Sequence, residues 1–321
     1  MNMQANPQTI ALGPGGPIIP ALGVGAWSWG DSLFWSYGDD YGADQVQAAF
    51  RASLEAGVNF FDTAEIYGLG ESERLLGRFM QETDHSVQVA TKYLPLPWRI
   101  GPQAVANALT ASLKRLQVAN ILLYQVHWPF ELLVGQKTLM NALAEEVKQG
   151  RIAAVGVSNY SAAQMRAAHQ YLAEWGIPLA VNQVRYSLLA RQIETNGVLQ
   201  TARELGVAIL AYCPLAQGLL SGKYNLKHYQ RPTGARRIDP RFSKNGLVKI
   251  ELVIKTLRQI GEKYERTCAQ VALNWLIAQG GVAPIPGAKN AEQASQNAAA
   301  LGWEMTAEEK EQLSLVTLAW R

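Results

Sequence analysis

The sequence is poor in the residues that build disulfide frameworks, metal centres and membrane spans. Its two cysteines, Cys213 and Cys268, lie far apart and form no CxxC motif, which argues against a disulfide framework or a zinc site. The four histidines show neither HxH nor HExxH spacing, so we expect no metal centre. No run approaches the roughly 20 apolar residues of a membrane helix, and Met1–Ile10 does not resemble a signal peptide. These absences favour a cytoplasmic protein that binds no membrane.

Charged residues are also sparse. They make up 17% of the 321 residues, whereas hydrophobic residues make up 48%, which allows a large core and argues against disorder. The net charge of +3 is spread along the chain without basic clusters, so we expect no nucleic-acid partner. The length suits one barrel or two small domains. Because no stretch has the composition of a linker, we predict one domain over residues 1–321.

The chain does contain a repeating alternation of short apolar runs and longer stretches with helical periodicity. Eight runs have the aliphatic and β-branched content of strands buried on both faces: Leu22–Ala26, Asn59–Asp62, Val87–Lys92, Ile121–His127, Ala153–Ser158, Ala180–Val184, Ala208–Tyr212 and Val282–Ile285. The stretches between them predict helices over Ala43–Ala56, Gln103–Leu116, Leu139–Gln149, Ala162–Trp175 and Ile193–Leu205. This alternation predicts an α/β protein with a (β/α)8 TIM barrel, and an open doubly wound sheet is the competing architecture.

Three further regions do not follow the alternation. The first residues predict a hairpin formed by Thr9–Leu12 and Pro17–Ile19, and Thr306–Thr317 predicts an extra C-terminal helix. Residues 218–245 are polar and rich in glycine, proline and arginine, which is typical of a functional loop. A complete Rossmann glycine fingerprint is absent from the sequence, and its absence argues against the open sheet.

Polar side chains stand at the ends of successive predicted strands. They are Asp62, Lys92, His127, Ser158 with Asn159, Gln183 and Tyr212. Functional groups of a β/α barrel sit at the carboxyl ends of its strands, so we expect these side chains to gather at one mouth.

Several motifs resemble those of the aldo-keto reductases. Residues 60–68, Phe-Phe-Asp-Thr-Ala-Glu-Ile-Tyr-Gly, resemble the signature of that family, and further segments resemble other family motifs in the same order: Thr91-Lys92, Val126–Pro129, Gly156–Asn159 and Asn182-Gln183. The resemblance covers nearly the whole chain. It implies a barrel that reduces aldehydes or ketones with NADPH, and a catalytic tetrad of Asp62, Tyr67, Lys92 and His127.

The chemistry of these four side chains suits carbonyl reduction, which needs a hydride on carbon and a proton on oxygen. Tyr67 is the predicted proton donor, although a phenol titrates near 10 in water. We expect the Lys92 ammonium to lower that pKa, and Asp62 to keep Lys92 charged once it is buried. His127 is expected to hydrogen-bond and orient the substrate oxygen.

The resemblance also implies where the cofactor lies. Ser158, Asn159 and Gln183 would bind the nicotinamide carboxamide, and Tyr212 would stack on the ring. The segment after Tyr212 resembles the pyrophosphate-binding stretch and contributes Pro214, Leu215, Gln217, Gly218 and Lys223. The adenosine end would comprise Gly287, Lys289, Gln293 and Asn297, with Lys289 meeting the 2′-phosphate of NADPH. Trp27 and Arg236 complete the predicted contacts, and residues 218–245 are expected to cover the cofactor.

Aromatic residues crowd the predicted mouth. Trp27, Trp29, Trp98 and Trp128 are predicted to form a substrate pocket, and packing of long loops is the alternative. Gly25–Asp31 with Phe34-Trp35 is similar to a plant-plastid and cyanobacterial branch that includes pyridoxal reductases, so pyridoxal is one candidate among aromatic and aliphatic aldehydes. The competing function is an NADPH-binding regulatory protein similar to potassium-channel β-subunits, and the complete tetrad favours catalysis. The family resemblance implies a monomer.

Overall fold

The computed structural model of the chain describes residues 8–130, 134–226, 229, 236–237 and 239–321. Its centre is a sheet of eight parallel strands in which each strand pairs with its neighbour in sequence. The strands are β3 (Val24–Gly25), β4 (Phe60–Asp62), β5 (Gln88–Tyr93), β6 (Ile121–Val126), β7 (Ile152–Ser158), β8 (Leu179–Arg185), β9 (Ala208–Tyr212) and β10 (Val282–Pro284). Each contains or overlaps one of the apolar runs that the sequence offered as a strand.

The sheet curls until its first and last strands meet. Backbone N–H groups of Gly23 and Gly25 each donate a 3.0 Å hydrogen bond, to the carbonyls of Pro284 and Pro286 respectively. A Cβ on Gly25 would lie 2.9 Å from the carbonyl oxygen of Ile285, so this approach requires glycine. The contact closes the parallel sheet, and the predicted barrel is confirmed.

An antiparallel hairpin precedes the barrel, as predicted. It consists of β1 (Thr9–Ala11) and β2 (Ile18–Pro20), with Thr9 opposite Pro20. Leu12 and Ile19 are buried and join Phe60 and other barrel-lining side chains in an inner core. The hairpin therefore packs against the interior of the barrel.

Helices surround the sheet and bury a second, larger core against its outer face. In the described part of the chain they are α1 (Ser32–Trp35), α2 (Ala43–Glu55), α3 (Glu71–Gln81), α4 (Pro102–Leu116), α5 (Gln136–Lys148), α6 (Ala162–Ala173), α7 (Val198–Leu205), α8 (Lys244–Tyr264), α9 (Cys268–Ile277), α10 (Ala291–Ala298) and α11 (Ala307–Val316). The last of these is the predicted C-terminal helix. Among the described residues we find no helix with the length and apolar character needed to cross a membrane.

Two regions differ from their predictions, one a helix predicted from periodicity and the other a loop predicted from composition. The helix expected from Ile193 is divided into a short 3-10 turn, Gln192–Glu194, and α7, because Gly197 adopts a left-handed φ of 86° between them. The long region 218–245 is only partly irregular. Its final residues begin α8, where the Ser243 hydroxyl accepts a hydrogen bond from the backbone N–H of Gly246. Residues 227–228, 230–235 and 238 of this predicted loop lie outside the described residues.

Candidate active site

The carboxyl ends of the strands surround a cavity of about 1120 Å³. All the residues predicted to bind the cofactor line it: Trp27, Ser158, Asn159, Gln183, Tyr212, Pro214, Leu215, Gln217, Gly218, Lys223, Arg236, Gly287, Lys289, Gln293 and Asn297. Asp62, Tyr67 and His127 line it too. Within the described ranges, no group of three or more His, Cys, Asp or Glu side chains is arranged to hold a metal ion.

Lys92 lies behind this surface and is fully buried. Its Nζ donates to Oδ2 of Asp62 at 2.5 Å and to the carbonyl oxygen of Thr63 at 2.7 Å. The same Nζ lies 5.0 Å from the centre of the Tyr67 ring. The Tyr67 ring in turn meets the His127 ring edge to face, with 5.7 Å between their centres. The four predicted catalytic residues therefore form one contiguous group.

Asp62 accepts hydrogen bonds from two further side chains that sequence reasoning did not connect with it. Gln125 Nε2 and Gln183 Nε2 lie 3.0 and 2.7 Å from Oδ1 of Asp62. Gln183 was predicted only as a cofactor ligand, and Gln125 was not predicted at all. The signal available in the sequence was a single amide within β6, whose other residues are aliphatic or aromatic.

The ionisation of Tyr67 differs from the expectation. Burial raises the pKa of Tyr67 well above its ordinary value, and the charge of Asp62 acts in the same direction. The expected lowering by Lys92 is wrong, because burial disfavours the tyrosinate and the Asp62 carboxylate opposes the ammonium charge. Burial also lowers the pKa of Lys92, while Asp62 opposes that shift. Tyr67 therefore holds its proton throughout the neutral range.

His127 is a neutral imidazole at pH 7. Burial, with a smaller contribution from Lys92, lowers its pKa to about 3. Its Nδ1 is buried without a hydrogen-bond partner among the described residues. His127 can therefore donate one hydrogen bond to a ligand, but it carries no extra proton to release.

Three side chains at or just after the carboxyl ends of β7 and β9 form a polar wall beside this group. Ser158 Oγ donates to the carbonyl oxygen of Gln183 at 2.9 Å, and Asn159 Nδ2 donates to Ser158 Oγ at 3.0 Å. The Tyr212 hydroxyl donates to Asn159 Oδ1, also at 3.0 Å. This chain fixes the amide of Asn159, whose backbone has a left-handed φ of 62°. The wall offers hydroxyl and amide groups next to a phenol ring.

The segment after β9 is bent sharply. Cys213, Ala216 and Gln217 have φ values of 51°, 49° and 57°, a region that non-glycine residues seldom occupy. Gly218 follows with φ of 95°. Such backbone strain concentrates at ligand-binding sites, and here it shapes one wall of the cavity.

Three cationic side chains meet at the far end of the cavity. Lys289 Nζ donates to the carbonyl oxygen of Trp35 at 3.0 Å and lies 4.1 Å from the centre of the Tyr41 ring. Arg236 Nη1 donates to the Tyr224 hydroxyl at 2.7 Å. Burial and then the charge of Arg236 lower the pKa of Lys289 to about 8; Lys223 adds to the effect, whereas the carboxylate of Asp40 opposes it. The cluster thus carries positive charge that an anion would stabilise.

Gln293 and Asn297 hold the turn that carries Lys289. The backbone N–H of Lys289 donates to Gln293 Oε1 at 3.0 Å, and Asn297 Nδ2 donates to the carbonyl oxygen of Gly287 at 3.2 Å. Both side chains belong to α10 and face the cavity.

The predicted aromatic residues separate into two groups. Trp27 and Trp128 line the cavity, and the Trp27 ring stacks on Tyr67 with 6.0 Å between centres. The prediction that Trp29 forms part of the substrate pocket is wrong. Trp29 is fully buried in the outer core, where its Nε1 donates to the carbonyl oxygen of Ala288 at 2.8 Å. Trp98 is 72% exposed and does not line the cavity.

Asp31 is a site residue that sequence reasoning overlooked. It is buried, lines the cavity and accepts from Trp27 Nε1 at 3.1 Å and from the backbone N–H of Phe34 at 2.9 Å. It therefore caps α1 and fixes the indole that stacks on Tyr67. An aspartate three residues before an aromatic pair was the available signal for this N-cap.

A closed parallel barrel with an Asp, a Tyr and a His at its mouth and a buried Lys behind them defines the class of barrel oxidoreductases. The chain belongs to the aldo/keto reductase family, whose pattern it matches over residues 21–316. The family inferred from the sequence motifs is thereby confirmed, and the protein is an enzyme of that family.

Individual relatives are similar along nearly their whole length. The chain is 39% identical to the chloroplastic pyridoxal reductase of Arabidopsis thaliana, over 95% of this chain and 85% of the relative. Its fold is similar to that of a glycerol dehydrogenase from Gluconobacter oxydans, with a TM-score of 0.84, 30% identity and coverage of 97% and 95%. It is also similar to an aldo-keto reductase from Klebsiella pneumoniae solved with NADPH, with a TM-score of 0.75, 28% identity and coverage of 97% and 95%.

Proposed function

We propose that this enzyme reduces aldehydes or ketones to alcohols with NADPH, and that Tyr67 is the proton donor. The observation that carries the proposal is the single group formed by Asp62, Lys92, Tyr67 and His127. Lys92 Nζ lies 2.5 Å from Asp62 Oδ2 and 5.0 Å from the centre of the Tyr67 ring. Bound NADPH supplies the hydride in this reaction.

The two candidate acids in the cavity are distinguished by their protonation. His127, with a pKa of about 3, has no ionisable proton to deliver at pH 7. Tyr67, with its raised pKa, keeps its phenolic proton. The carbonyl oxygen becomes strongly basic as it gains negative charge, so it can take the proton from Tyr67 while Lys92 stabilises the phenolate that forms. His127 donates a hydrogen bond that orients this oxygen.

Lys92 acts after the proton begins to leave Tyr67. A phenolate next to a buried ammonium is stabilised by a charge interaction that solvent screens only weakly. Asp62 keeps that ammonium protonated in spite of burial, which would otherwise favour the neutral amine. The Lys92 ammonium therefore stabilises negative charge on Tyr67 as it develops, and the role of Asp62 is to keep Lys92 charged, although its carboxylate opposes charge on Tyr67.

The cation cluster supports NADPH as the cofactor. Burial lowers the pKa of Lys289 to about 8, and Arg236 and Lys223 contribute because the three positive charges repel each other. A 2′-phosphate would relieve that repulsion, and Lys289 and Arg236 would hold it. We propose that Ser158, Asn159 and Gln183 hold the carboxamide, that Tyr212 stacks on the nicotinamide, and that Gln217, Gly218 and Lys223 border the pyrophosphate.

The rest of the proposal concerns the chain as a whole. We propose a single catalytic domain over residues 1–321, in which residues 218–245 cover the cofactor. Lys223 and Arg236 support this role because both line the cavity. We expect the enzyme to act as a cytoplasmic monomer.

The aromatic wall favours aromatic carbonyl substrates. Trp27 stacks on Tyr67, and Trp128 lines the cavity beside His127. An aromatic aldehyde can pack between such rings with its carbonyl oxygen near Tyr67. The similarity to a pyridoxal reductase makes pyridoxal the first compound to assay.

The test is NADPH oxidation at a fixed cofactor concentration across pyridoxal, 4-nitrobenzaldehyde and a series of aliphatic aldehydes and ketones. We expect turnover with aromatic aldehydes. If the purified protein binds NADPH tightly and reduces no compound of the panel, the proposal is wrong and a cofactor-sensing role takes its place.

A further inference from the structure

Gln125 is a fully buried amide directly beneath the candidate active site. It lies on β6 and does not line the cavity, so it is not placed to touch substrate or cofactor. Among the described residues its side chain hydrogen-bonds only with Asp62 and Gln183. Burying an amide costs free energy unless such bonds are made, and a methionine or leucine would fill the same space without that cost.

The barrel makes room for this side chain through a neighbouring glycine. Gln125 pairs with Gly156 on β7, and a Cβ on Gly156 would lie 2.8 Å from Gln125 Cγ. A larger residue on β7 would push the amide away from Asp62. The position of Gln125 therefore depends on a specific arrangement of two adjacent strands.

The hydrogen bonds around Gln125 determine how Gln183 is oriented. Gln183 Nε2 donates to Asp62 Oδ1 at 2.7 Å and to Gln125 Oε1 at 3.3 Å, which uses both of its hydrogens. The opposite rotation of the Gln183 amide would place its oxygen against the Asp62 carboxylate and against Gln125 Oε1. That arrangement brings acceptors together, so Gln183 keeps its Oε1 free for the cavity that it lines.

We propose that Gln125 is a positioning residue that joins the proton-transfer and cofactor sides of the site. It donates to Asp62 Oδ1 at 3.0 Å, which leaves Oδ2 for Lys92. It also accepts from Gln183, so the oxygen of that amide faces the position of the carboxamide. This inference rests on the proposed function, because Asp62, Lys92 and Gln183 have their roles there.

The first test is Gln125→Met, which retains the length of the side chain and removes its hydrogen bonds. We expect kcat for 4-nitrobenzaldehyde to fall about tenfold, because a charged acceptor loses one of its donors. The Kd for NADPH is expected to rise about threefold through Gln183. The KM for the aldehyde is expected to change less than twofold, because Gln125 is not placed to contact substrate.

The second test is Gln125→Glu, whose behaviour should depend on pH. A protonated glutamic acid can donate to Asp62 and accept from Gln183, as the amide does. Once ionised, it repels the Asp62 carboxylate, and both burial and that charge raise its pKa above the ordinary value of about 4.3. Activity therefore requires the protonated form, so kcat should approach the wild-type value near pH 5 and fall as pH rises. The wild-type enzyme should lack this ionisation.

A matched control separates positioning from stability. Asn274 is a buried amide on α9 that donates to the carbonyls of Ala300 and Trp303 and does not line the cavity. Asn274→Leu should lower the free energy of unfolding and leave kcat and the NADPH Kd unchanged. Urea unfolding of all the variants at pH 5 and pH 8 accompanies the kinetics.

The outcomes are distinct. Loss of kcat in Gln125→Met with recovery of Gln125→Glu at low pH supports the proposal. If Gln125→Met loses stability as Asn274→Leu does but keeps wild-type kcat and Kd, the role is structural and the proposal is overturned. A Gln125→Glu variant that is equally impaired at both pH values overturns it as well. Failure of the wild-type enzyme to reduce any aldehyde would instead contradict the proposed function.

Discussion

The two ends of the cavity hold their charges in opposite ways. At the catalytic end the buried Lys92 is paired with Asp62, and Asp62 has further donors in Gln125 and Gln183. At the far end Lys289 and Arg236 contact aromatic rings, a hydroxyl group and a backbone carbonyl. The first end pairs its charges within the protein, whereas at the second end three cationic side chains, Lys289, Arg236 and Lys223, face one carboxylate, Asp40.

This difference indicates what each end contributes. Fixed dipoles and paired charges at the catalytic end need no rearrangement during reaction, which favours transition-state stabilisation. An anion that binds at the far end reduces the repulsion between the cations there. This end should therefore determine the affinity for the cofactor and the choice between cofactors. Substitutions at the catalytic end should therefore affect turnover, and substitutions at the far end should affect binding.

The largest combined loss of stability and turnover is expected from Lys92→Met. Without the Lys92 ammonium, the Asp62 carboxylate is a buried charge with no ion-pair partner, so the free energy of unfolding should fall by about 3 kcal/mol. The kcat should fall by about 100-fold or more, because phenolate on Tyr67 loses its stabilising charge. Urea unfolding and steady-state kinetics measure the two effects.

The control is the double variant Lys92→Met with Asp62→Asn. Removing both charges should restore most of the unfolding free energy and leave kcat low. If turnover returns together with stability, Lys92 has only a structural role, and the charges at the catalytic end do not explain the rate of carbonyl reduction.

A medium effect, confined to binding, is expected from Lys289→Ala. The Kd for NADPH should rise about tenfold, and the Kd for NADH should change less than twofold, because only NADPH carries the 2′-phosphate. Fluorescence titration of both cofactors measures this. Equal weakening of NADPH and NADH would contradict the assignment of Lys289.

The same residue gives a pH dependence with a definite sign. Lys289 has a pKa of about 8, so it is charged below that value and loses its proton as pH rises. The preference of the wild-type enzyme for NADPH over NADH should therefore be largest near pH 7 and decline above pH 8. The preference of Lys289→Ala should stay flat between pH 7 and 9.

The smallest effect is expected from Trp128→Ala. Trp128 is 41% exposed at the cavity wall, so its loss should raise the KM for aromatic aldehydes about threefold and leave kcat within twofold. Trp98→Ala is the matched control, since Trp98 lies outside the cavity lining and should have no effect. An equal effect of both substitutions would contradict the assignment of Trp128, and not Trp98, to the substrate pocket.

The sequence was informative where local pattern determines structure. Buried strands of a parallel barrel are continuous apolar runs, so β3 to β10 were predictable, as were the polar residues at the ends of several of them. The closing contact of Gly25 with the Ile285 carbonyl was not, because nothing local marks a close approach between residues so distant in the chain.

Side-chain surroundings were less predictable than position. Trp27 and Trp29 are two residues apart in sequence. Trp29 nevertheless lies in the core and Trp27 lines the cavity, because the chain turns between them. The pKa of Tyr67 depends on burial as well as on Lys92, and burial follows from the packing of whole elements. Gln125 was missed because its hydrogen-bond partners lie on other strands, which only folding brings close to it. Asp31 was missed because the chain must bend back on itself to bring its indole partner within reach.

Tyr67→Phe tests the central claim most directly. The variant removes one hydroxyl and keeps the ring that stacks on Trp27 and contacts Lys92. With saturating NADPH and 4-nitrobenzaldehyde, we predict a fall in kcat of about 100- to 10,000-fold, and an NADPH Kd within twofold of the wild-type value. Wild-type turnover in Tyr67→Phe would contradict the assignment of Tyr67 as the proton donor.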